Sequence, residues 1–167
     1  MTTLPNRPPM LTSKHPFLID MDPQHVEILL HGATEQQFEP DEIIFREGEP
    51  ANRFYLINSG EVALETKCPS NGTVHVQTLH GGDVLGWSWL FPPFAWNLQA
   101  RALKDTRVLA CDGGHLLVTS EEDDDFGHAL MKRVAHVTIQ RLQGARKQLV
   151  QVQSVLAGKP ATTRQSN

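Results

Sequence analysis

Long apolar runs are missing from this sequence of 167 residues. A helix that crosses a bilayer needs about 20 consecutive apolar residues, and the longest runs here are far shorter. The opening residues MTTLPNRPPM also lack the apolar core of a secretion signal. We therefore expect a cytoplasmic protein that makes no membrane contact.

Cysteine is scarce, and the motifs of metal and catalytic sites are missing. Cys68 and Cys111 lie far apart, so a single disulfide is open, although two reduced thiols fit a cytosolic protein better. The eight histidines form no HxH or HExxH pair near a carboxylate, which argues against a metal site. No nucleophile motif, P-loop or dinucleotide fingerprint occurs. We therefore do not expect an enzyme.

Acidic residues are missing from the C-terminal quarter of the chain. Residues 1–125 carry all 19 acids and 8 of the 15 basic residues, and residues 126–167 carry the other 7 basic residues. Such a segment suits nucleic acid or an acidic partner, but a basic helix packed on an acidic body is the simpler interpretation. The acids of residues 121–125 would complement the dipole at the start of that helix.

Short β-prone stretches separated by turn residues fill the chain from Gln37 to Cys111. The clearest are IIFR (43–46), RFYLIN (53–58), EVALET (61–66), TVHVQTL (73–79) and TRVLA (106–110). Asn71-Gly72 lies between two of them and is a strong hairpin signal. Strands of this length and spacing are typical of a sandwich, roll or barrel. Before them, Asp22 and Pro23 begin a short helix that Gly32 ends.

A long helix is predicted from about Asp125 to Leu156. Its downstream half carries an apolar seam in which residues recur at intervals of three and four, as in a coiled coil. The seam consists of Leu142, Ala145, Leu149 and Val152. We expect the upstream half of the helix to pack on its own sheets and the seam to pair with a second copy, which predicts a homodimer. The predicted organisation is a flexible arm (1–13), one domain (14–157) and a flexible tail (158–167).

Three stretches, which include most of the β-prone segments above, resemble the sensor domain of the Crp/Fnr family, the cyclic-nucleotide-binding domain. They are IIFREGEPANRFYLINSGEVAL (43–64), GGDVLG (81–86), and ARA (100–102) followed by TRVLACD. The similarity runs from about His15 to Val152. It implies a mainly β fold with flanking helices: a double-stranded β-roll (jelly roll) with a short N-terminal helix and a long C-terminal helix. It also implies a sensory or regulatory function.

The same resemblance places GWSWLFPPFAWN on the family's phosphate-binding cassette. There a glutamate after the glycine holds the ribose hydroxyl, and an arginine about ten residues later holds the cyclic phosphate together with main-chain N–H groups. Here Gly86 is kept, Trp87 takes the glutamate position, and Trp96-Asn97 takes the Arg-Ser position. No arginine, lysine, aspartate or glutamate lies between Gly86 and Arg101, and Arg101 itself is predicted to form an ion pair within the roll.

The candidate ligand-binding residues are therefore Gly86, Trp87, Ser88, Trp89, Trp96 and Asn97. Three interpretations stay open: a pocket for a ligand less charged than a nucleotide, a pocket filled by Trp87 and Trp96, or an outward aromatic patch for a partner. Cyclic AMP or cyclic GMP held by main-chain and stacking contacts is a further alternative. No cofactor is assigned beyond a cyclic nucleotide or another small molecule as candidate ligand.

The family resemblance carries two more expectations. Its C-terminal helix covers the ligand, which makes Arg146 a candidate cap. Family regulators continue into a DNA-reading helix-turn-helix, whereas only about ten polar residues follow Ala157 here. We expect no sequence-specific nucleic-acid contact. The leading prediction is a sensory or regulatory module with a non-standard cassette, signalling to a protein partner that the sequence does not identify; the alternative is a ligand-free adaptor.

Overall fold

The computed structural model describes residues 2–3, 14–70 and 72–158. The strands are β1 (Thr2–Thr3), β2 (Thr34–Phe38), β3 (Ile43–Phe45), β4 (Arg53–Ser59), β5 (Glu61–Cys68), β6 (Gly72–His80), β7 (Val84–Leu85), β8 (Gln99–Ala102) and β9 (Thr106–Asp112). The helices are α1 (Pro23–Leu30), α2 (Gly113–Glu122) and α3 (Asp124–Ala157), with short 3₁₀ turns at Pro16–Leu18 and Ser88–Leu90. The prediction of a mainly β fold with flanking helices is confirmed.

The strands form two antiparallel sheets. One has the order β1-β2-β9-β4-β7 and the other the order β3-β8-β5-β6. Successive strands mostly lie in opposite sheets, so most connections cross from one sheet to the other, while β5 and β6 form a hairpin within one sheet. The central strands carry most of the core, and Phe54, Leu56, Val62 and Leu109 are almost fully buried. Val108, which follows the opposite face of β9, is fully buried as well.

Two sequence signals account for the flanking helices. The side chain of Asp22 accepts a hydrogen bond of 2.8 Å from the amide of Gln24, and Pro23 takes the first helical position of α1, as predicted. At the start of α3, the Asp123 carboxylate accepts from the amide of Phe126 at 3.0 Å, and Asp124 and Asp125 lie in the first turn.

The chain divides into two compact units between Arg133 and Val134. The first unit holds both sheets, α1, α2 and the start of α3, where Phe126 and Leu130 are fully buried. The described part of the second unit is the rest of α3. The upstream end of α3 therefore packs on its own domain, as the sequence predicts.

Some of the predicted segments lie partly or wholly outside the described residues. Thr2–Thr3 of the predicted arm pair with β2, while residues 4–13, Asn71 of the hairpin and 159–167 of the tail lie outside the described residues. β2 begins at Thr34, which makes the expected start of the β region at Gln37 three residues late. Across the described ranges, no helix is long and apolar enough to cross a membrane, and no cluster of three or more metal-ligating side chains occurs.

Candidate functional site

Gly86 begins the candidate cassette directly after β7. Strand β7 pairs with β4, with Leu85 opposite Tyr55. Gly86 has a φ of +81°, and a methyl group on its Cα would lie 2.7 Å from Cζ3 of Trp96. Only glycine fits both the left-handed backbone and so close an aromatic ring. The retained glycine is thus explained by an indole packed against it.

Trp96, which the family resemblance predicts at the position of the phosphate-binding arginine, is an interior residue. Its side chain is 5% exposed, and its ring stacks on Phe45 with centroids 3.9 Å apart and planes at 13°. Phe45 in turn stacks on Tyr55 at 6.0 Å. Burial raises the pKa of the Tyr55 phenol to about 12. The three rings form an aromatic column between β3, β4 and the loop.

Main-chain hydrogen bonds fix Trp96 in this orientation. Its carbonyl accepts from the amide of Gly48 at 2.8 Å, and its amide donates to the carbonyl of Glu49 at 2.9 Å. The amide of Ala51 donates to the carbonyl of Phe94 at 2.7 Å. Main-chain hydrogen bonds therefore join the end of the loop to the turn between β3 and β4, which contains Gly48.

Trp89 fills a second interior position. It is 2% exposed, and its indole N–H donates to the carbonyl of Gly86 at 3.0 Å. Its ring meets Phe54 edge-on at 6.1 Å. A methyl group on Gly113 would lie 2.8 Å from the Trp89 ring, so the start of α2 packs directly on this indole. Trp89 joins the loop to the core, and its polar atom is already satisfied.

The tip of the loop points outward. All four residues from Phe91 to Phe94 are exposed, and the two phenylalanines are 51% and 41% exposed. The amide of Phe94 donates to the carbonyl of Phe91 at 2.9 Å, and Phe94 has a φ of +55°. An aromatic residue in the left-handed region is uncommon and is held there by its surroundings.

The other candidate residues lie nearer to solvent. Trp87 and Ser88 are half-buried, and Asn97 is exposed. The structure thus separates the six predicted residues: Trp89 and Trp96 are interior, Gly86 receives the Trp96 ring, and the remaining three lie towards the surface.

Arg53 is a cation beside the cassette that the sequence analysis missed. Arg53 begins β4, the strand that pairs with β7, and its carbonyl oxygen would lie 3.4 Å from a methyl group on Gly86. Its charge also opposes the rise that burial causes in the pKa of Tyr55 and Cys111. Sequence distance hid this residue, because only the pairing of the two strands brings it near.

Arg101 is engaged in the roll. Its guanidinium bonds to both oxygens of Glu65, whose side chain is 6% exposed, and to Asp41 at 2.6 Å. The hydrogen bonds from Arg101 lower the pKa of Glu65, aided by Gln99 at 3.1 Å. The predicted ion pair is confirmed: Arg101 on β8 links Glu65 on β5 with Asp41 in the turn between β2 and β3.

The second unit carries the remaining candidates on α3. Arg146 is exposed, as are Ala145 and the three larger members of the predicted seam. Leu142 is 69% exposed, Leu149 59% and Val152 56%. The cap and the dimer contact stay predictions.

Comparison with known proteins identifies the family to which this fold belongs. The family model described as the cyclic nucleotide-binding domain matches residues 35–123, just over half of the chain. A CRP-like cAMP-activated global transcriptional regulator of Mycobacterium tuberculosis is 24% identical over 69% of this chain and 51% of its own length. The chain thus spans about half the length of the curated relatives that it matches.

Solved structures agree with the family model. A putative cyclic nucleotide-binding protein from Geobacter metallireducens is 27% identical with a TM-score of 0.69, covering 75% of this chain and 91% of that one. A cyclic nucleotide-binding domain from Methylobacillus flagellatus has a TM-score of 0.70 at 17% identity, covering 78% of this chain and 74% of that one, and shows the shared fold. The β-roll prediction is confirmed, and the chain belongs to the cyclic nucleotide-binding domain family.

Proposed function

We propose that this chain is a regulatory module that acts through protein contacts and whose cassette does not anchor a cyclic phosphate by charge. The observation that carries the proposal is the placement of Trp96. At the position where the family resemblance expects the phosphate-binding arginine, a buried indole stacks on Phe45 and packs against Gly86. An indole ring offers one N–H donor and no positive charge.

The energetic consequence for a cyclic nucleotide is large. Each hydrogen bond to a charged group is worth about 1.5–3 kcal/mol, and a bidentate arginine supplies two. Their loss weakens binding by about a hundredfold to ten-thousandfold. Trp87 in place of glutamate also removes the acceptor for the ribose hydroxyl. A family member that would otherwise bind at micromolar concentration would bind at millimolar concentration or weaker.

The exposed tip of the loop supports a protein contact. Phe91 and Phe94 form an apolar projection whose backbone is tied to Ala51. Interfaces concentrate their binding energy in a few aromatic anchors, and an anchor that is already ordered loses little entropy on binding. The loop would thus serve both as core, through Trp89 and Trp96, and as contact surface, through its tip.

The exposed seam of α3 supports a second copy of the chain as one partner. Its members recur at the spacing of a coiled coil and are mostly exposed within one chain. A two-stranded contact of this kind is isologous, since each seam faces the same seam.

A binding titration tests the proposal. All three tryptophans lie in the loop, so intrinsic fluorescence of the purified full chain, titrated with cyclic AMP or cyclic GMP to about 5 mM, reports on the cassette. We expect no saturable change. A saturable change at micromolar ligand would overturn the proposal, and Arg53→Gln would then test whether that cation replaces the missing arginine.

Adenosine is the matched ligand control, because it carries the purine without the phosphate. Equal saturable responses to adenosine and cyclic AMP would identify a stacking pocket for an uncharged purine. Such a result would leave the absence of a phosphate anchor standing and would rule out the alternative of a ligand-free adaptor.

A further inference from the structure

His15 is a buried histidine with both ring nitrogens engaged. Its side chain is 4% exposed. Nε2 lies 3.2 Å from the carbonyl oxygen of Ile57 on β4, and Nδ1 accepts a hydrogen bond of 3.2 Å from the amide of Phe17. A carbonyl requires a donor and an amide requires an acceptor, so these partners select the neutral ring with its proton on Nε2.

The turn that His15 caps also holds the start of α3. The 3₁₀ turn Pro16–Leu18 closes through the amide of Leu18, which donates to the carbonyl of His15 at 2.9 Å. Arg133, the last residue of the first unit, donates to the carbonyl of Phe17 at 2.6 Å and to the carbonyl of Ile19 at 2.8 Å. Two hydrogen bonds from one guanidinium thus join α3 to a turn whose capping group is a titratable ring.

We propose that this arrangement is a proton-sensitive latch, in which protonation of His15 opens the Pro16–Leu18 turn and releases Arg133 and the start of α3. A proton on Nδ1 would place an N–H against the N–H of Phe17, so the cap is lost. Once the turn opens, the carbonyls of Phe17 and Ile19 leave the geometry that the guanidinium requires. The inference concerns the N-terminal turn and does not depend on the cassette.

The groups around His15 set the direction of the response. Burial lowers the pKa of His15, while the main chain of Ile57 and of Asp83 and the Asp83 charge oppose that shift. Asp83 is itself engaged, since its carboxylate accepts from the amide of His80 at 2.8 Å. On the turn's own side the charged groups are Lys14, Asp20 and, from α3, Arg133.

The sign of the pH dependence follows from that lowered pKa. In the open turn the exposed ring has its ordinary pKa of about 6.5, so opening takes up a proton at any pH between that value and the pKa of the closed state. The closed latch is therefore fully favoured above about pH 6.5 and loses its advantage as the pH falls through this window.

Hydrogen exchange tests the latch in the full chain. We expect protection of the amides of Leu18, Ile19 and Met21 to fall between about pH 7.5 and pH 5.0, after correction for the intrinsic exchange rate. The amides of α3 from His128 to Arg133 should lose protection with them, while the β4–β9 ladder keeps its own. Unchanged protection in the turn, or a loss confined to the turn, would overturn the proposal.

Two variants separate the roles. In His15→Gln the amide supplies one donor and one acceptor but does not titrate, so the pH dependence should vanish from both segments; its persistence would contradict the latch. In Arg133→Met the amides at the start of α3 should exchange faster already at pH 7.5. Protection equal to that of the wild type would show that the guanidinium does not stabilise this part of the helix.

Ring NMR of the wild-type protein keeps the proposal testable if His15→Gln fails to fold. The ¹⁵N shifts should report the Nε2–H tautomer at neutral pH. Protection in both segments should fall from about pH 6.5 down to the midpoint of the ring's titration and level off below it. A different tautomer, or a loss of protection outside this window, would overturn it.

Discussion

Truncation of Trp96 separates a filled cassette from an open one. In Trp96→Ala, a side chain that is 5% exposed is removed, together with its stack on Phe45 at 3.9 Å and its contact with Gly86. Removal of a buried tryptophan costs about 3–5 kcal/mol through lost transfer energy and the cavity left behind, and part of that cost is the aromatic pair, worth about 0.5–1.5 kcal/mol. We expect a loss of this size in the free energy of unfolding.

Phe91→Ala is the matched control in the same loop. Phe91 is 51% exposed, so its truncation should change the free energy of unfolding by no more than about 0.5 kcal/mol. The assay is urea unfolding followed by far-ultraviolet circular dichroism, because the variant loses one of the fluorescent side chains. Equal m-values would show that the unfolding transitions are comparable. A cost below about 1 kcal/mol for Trp96→Ala would mean that the indole lines an open space, and the reasoning would fail.

Three further outcomes follow from the same contacts. Arg101→Met should lower the free energy of unfolding by about 3 kcal/mol, because it removes the ion-pair partner of the buried Glu65 carboxylate. Glu65 has a lowered pKa, so the wild type loses this stabilisation as the pH falls below about 4.5. An equal difference in stability between variant and wild type at pH 7 and at pH 3 would contradict the ion pair. Leu149→Asp should convert a dimer to a monomer in light scattering after size exclusion, while Gln148→Asp, on an exposed neighbouring position, should not; an unchanged mass for both would remove the seam as the interface. Cys111 is fully buried and its thiol pKa is raised to about 12, so in a Cys68→Ser background a thiol reagent should modify it only after unfolding. Rapid modification of that native variant would place Cys111 outside the core.

Local chemistry made much of the fold predictable. The cap at Asp22 and the turns at Gly48 and Gly60 depend on a few neighbouring residues, and both glycines have positive φ. The strands β4 and β5 carry enough apolar residues to be recognised alone. Strand β2, TEQQF, has little apolar alternation; it is a strand because its backbone pairs with β9, which comes much later in the chain.

The chemistry of the candidate loop is visible in the sequence, whereas the arrangement of its side chains is not. The loss of charge from the cassette is visible in the sequence, because no charged residue lies between Gly86 and Arg101. The sequence does not show which aromatic rings turn inward, because Phe91 and Trp96 are both large aromatic residues and either could be buried. The inward choice depends on the Gly48–Trp96 hydrogen bond and on the space beside Phe45, both of which are set by distant segments.

Thermal unfolding with and without ligand tests the central claim most directly. A ligand at 100 times its Kd stabilises the folded state by about 2.7 kcal/mol, which for a domain of this size raises Tm by about 5–10 °C. With cyclic AMP at about 1 mM, a Kd of about 10 μM would give this shift. We expect Tm of the full chain to stay within about 1 °C of its value without ligand. A rise of several degrees, absent with adenosine, would show that the cassette holds a cyclic phosphate without the arginine and would contradict the proposed function.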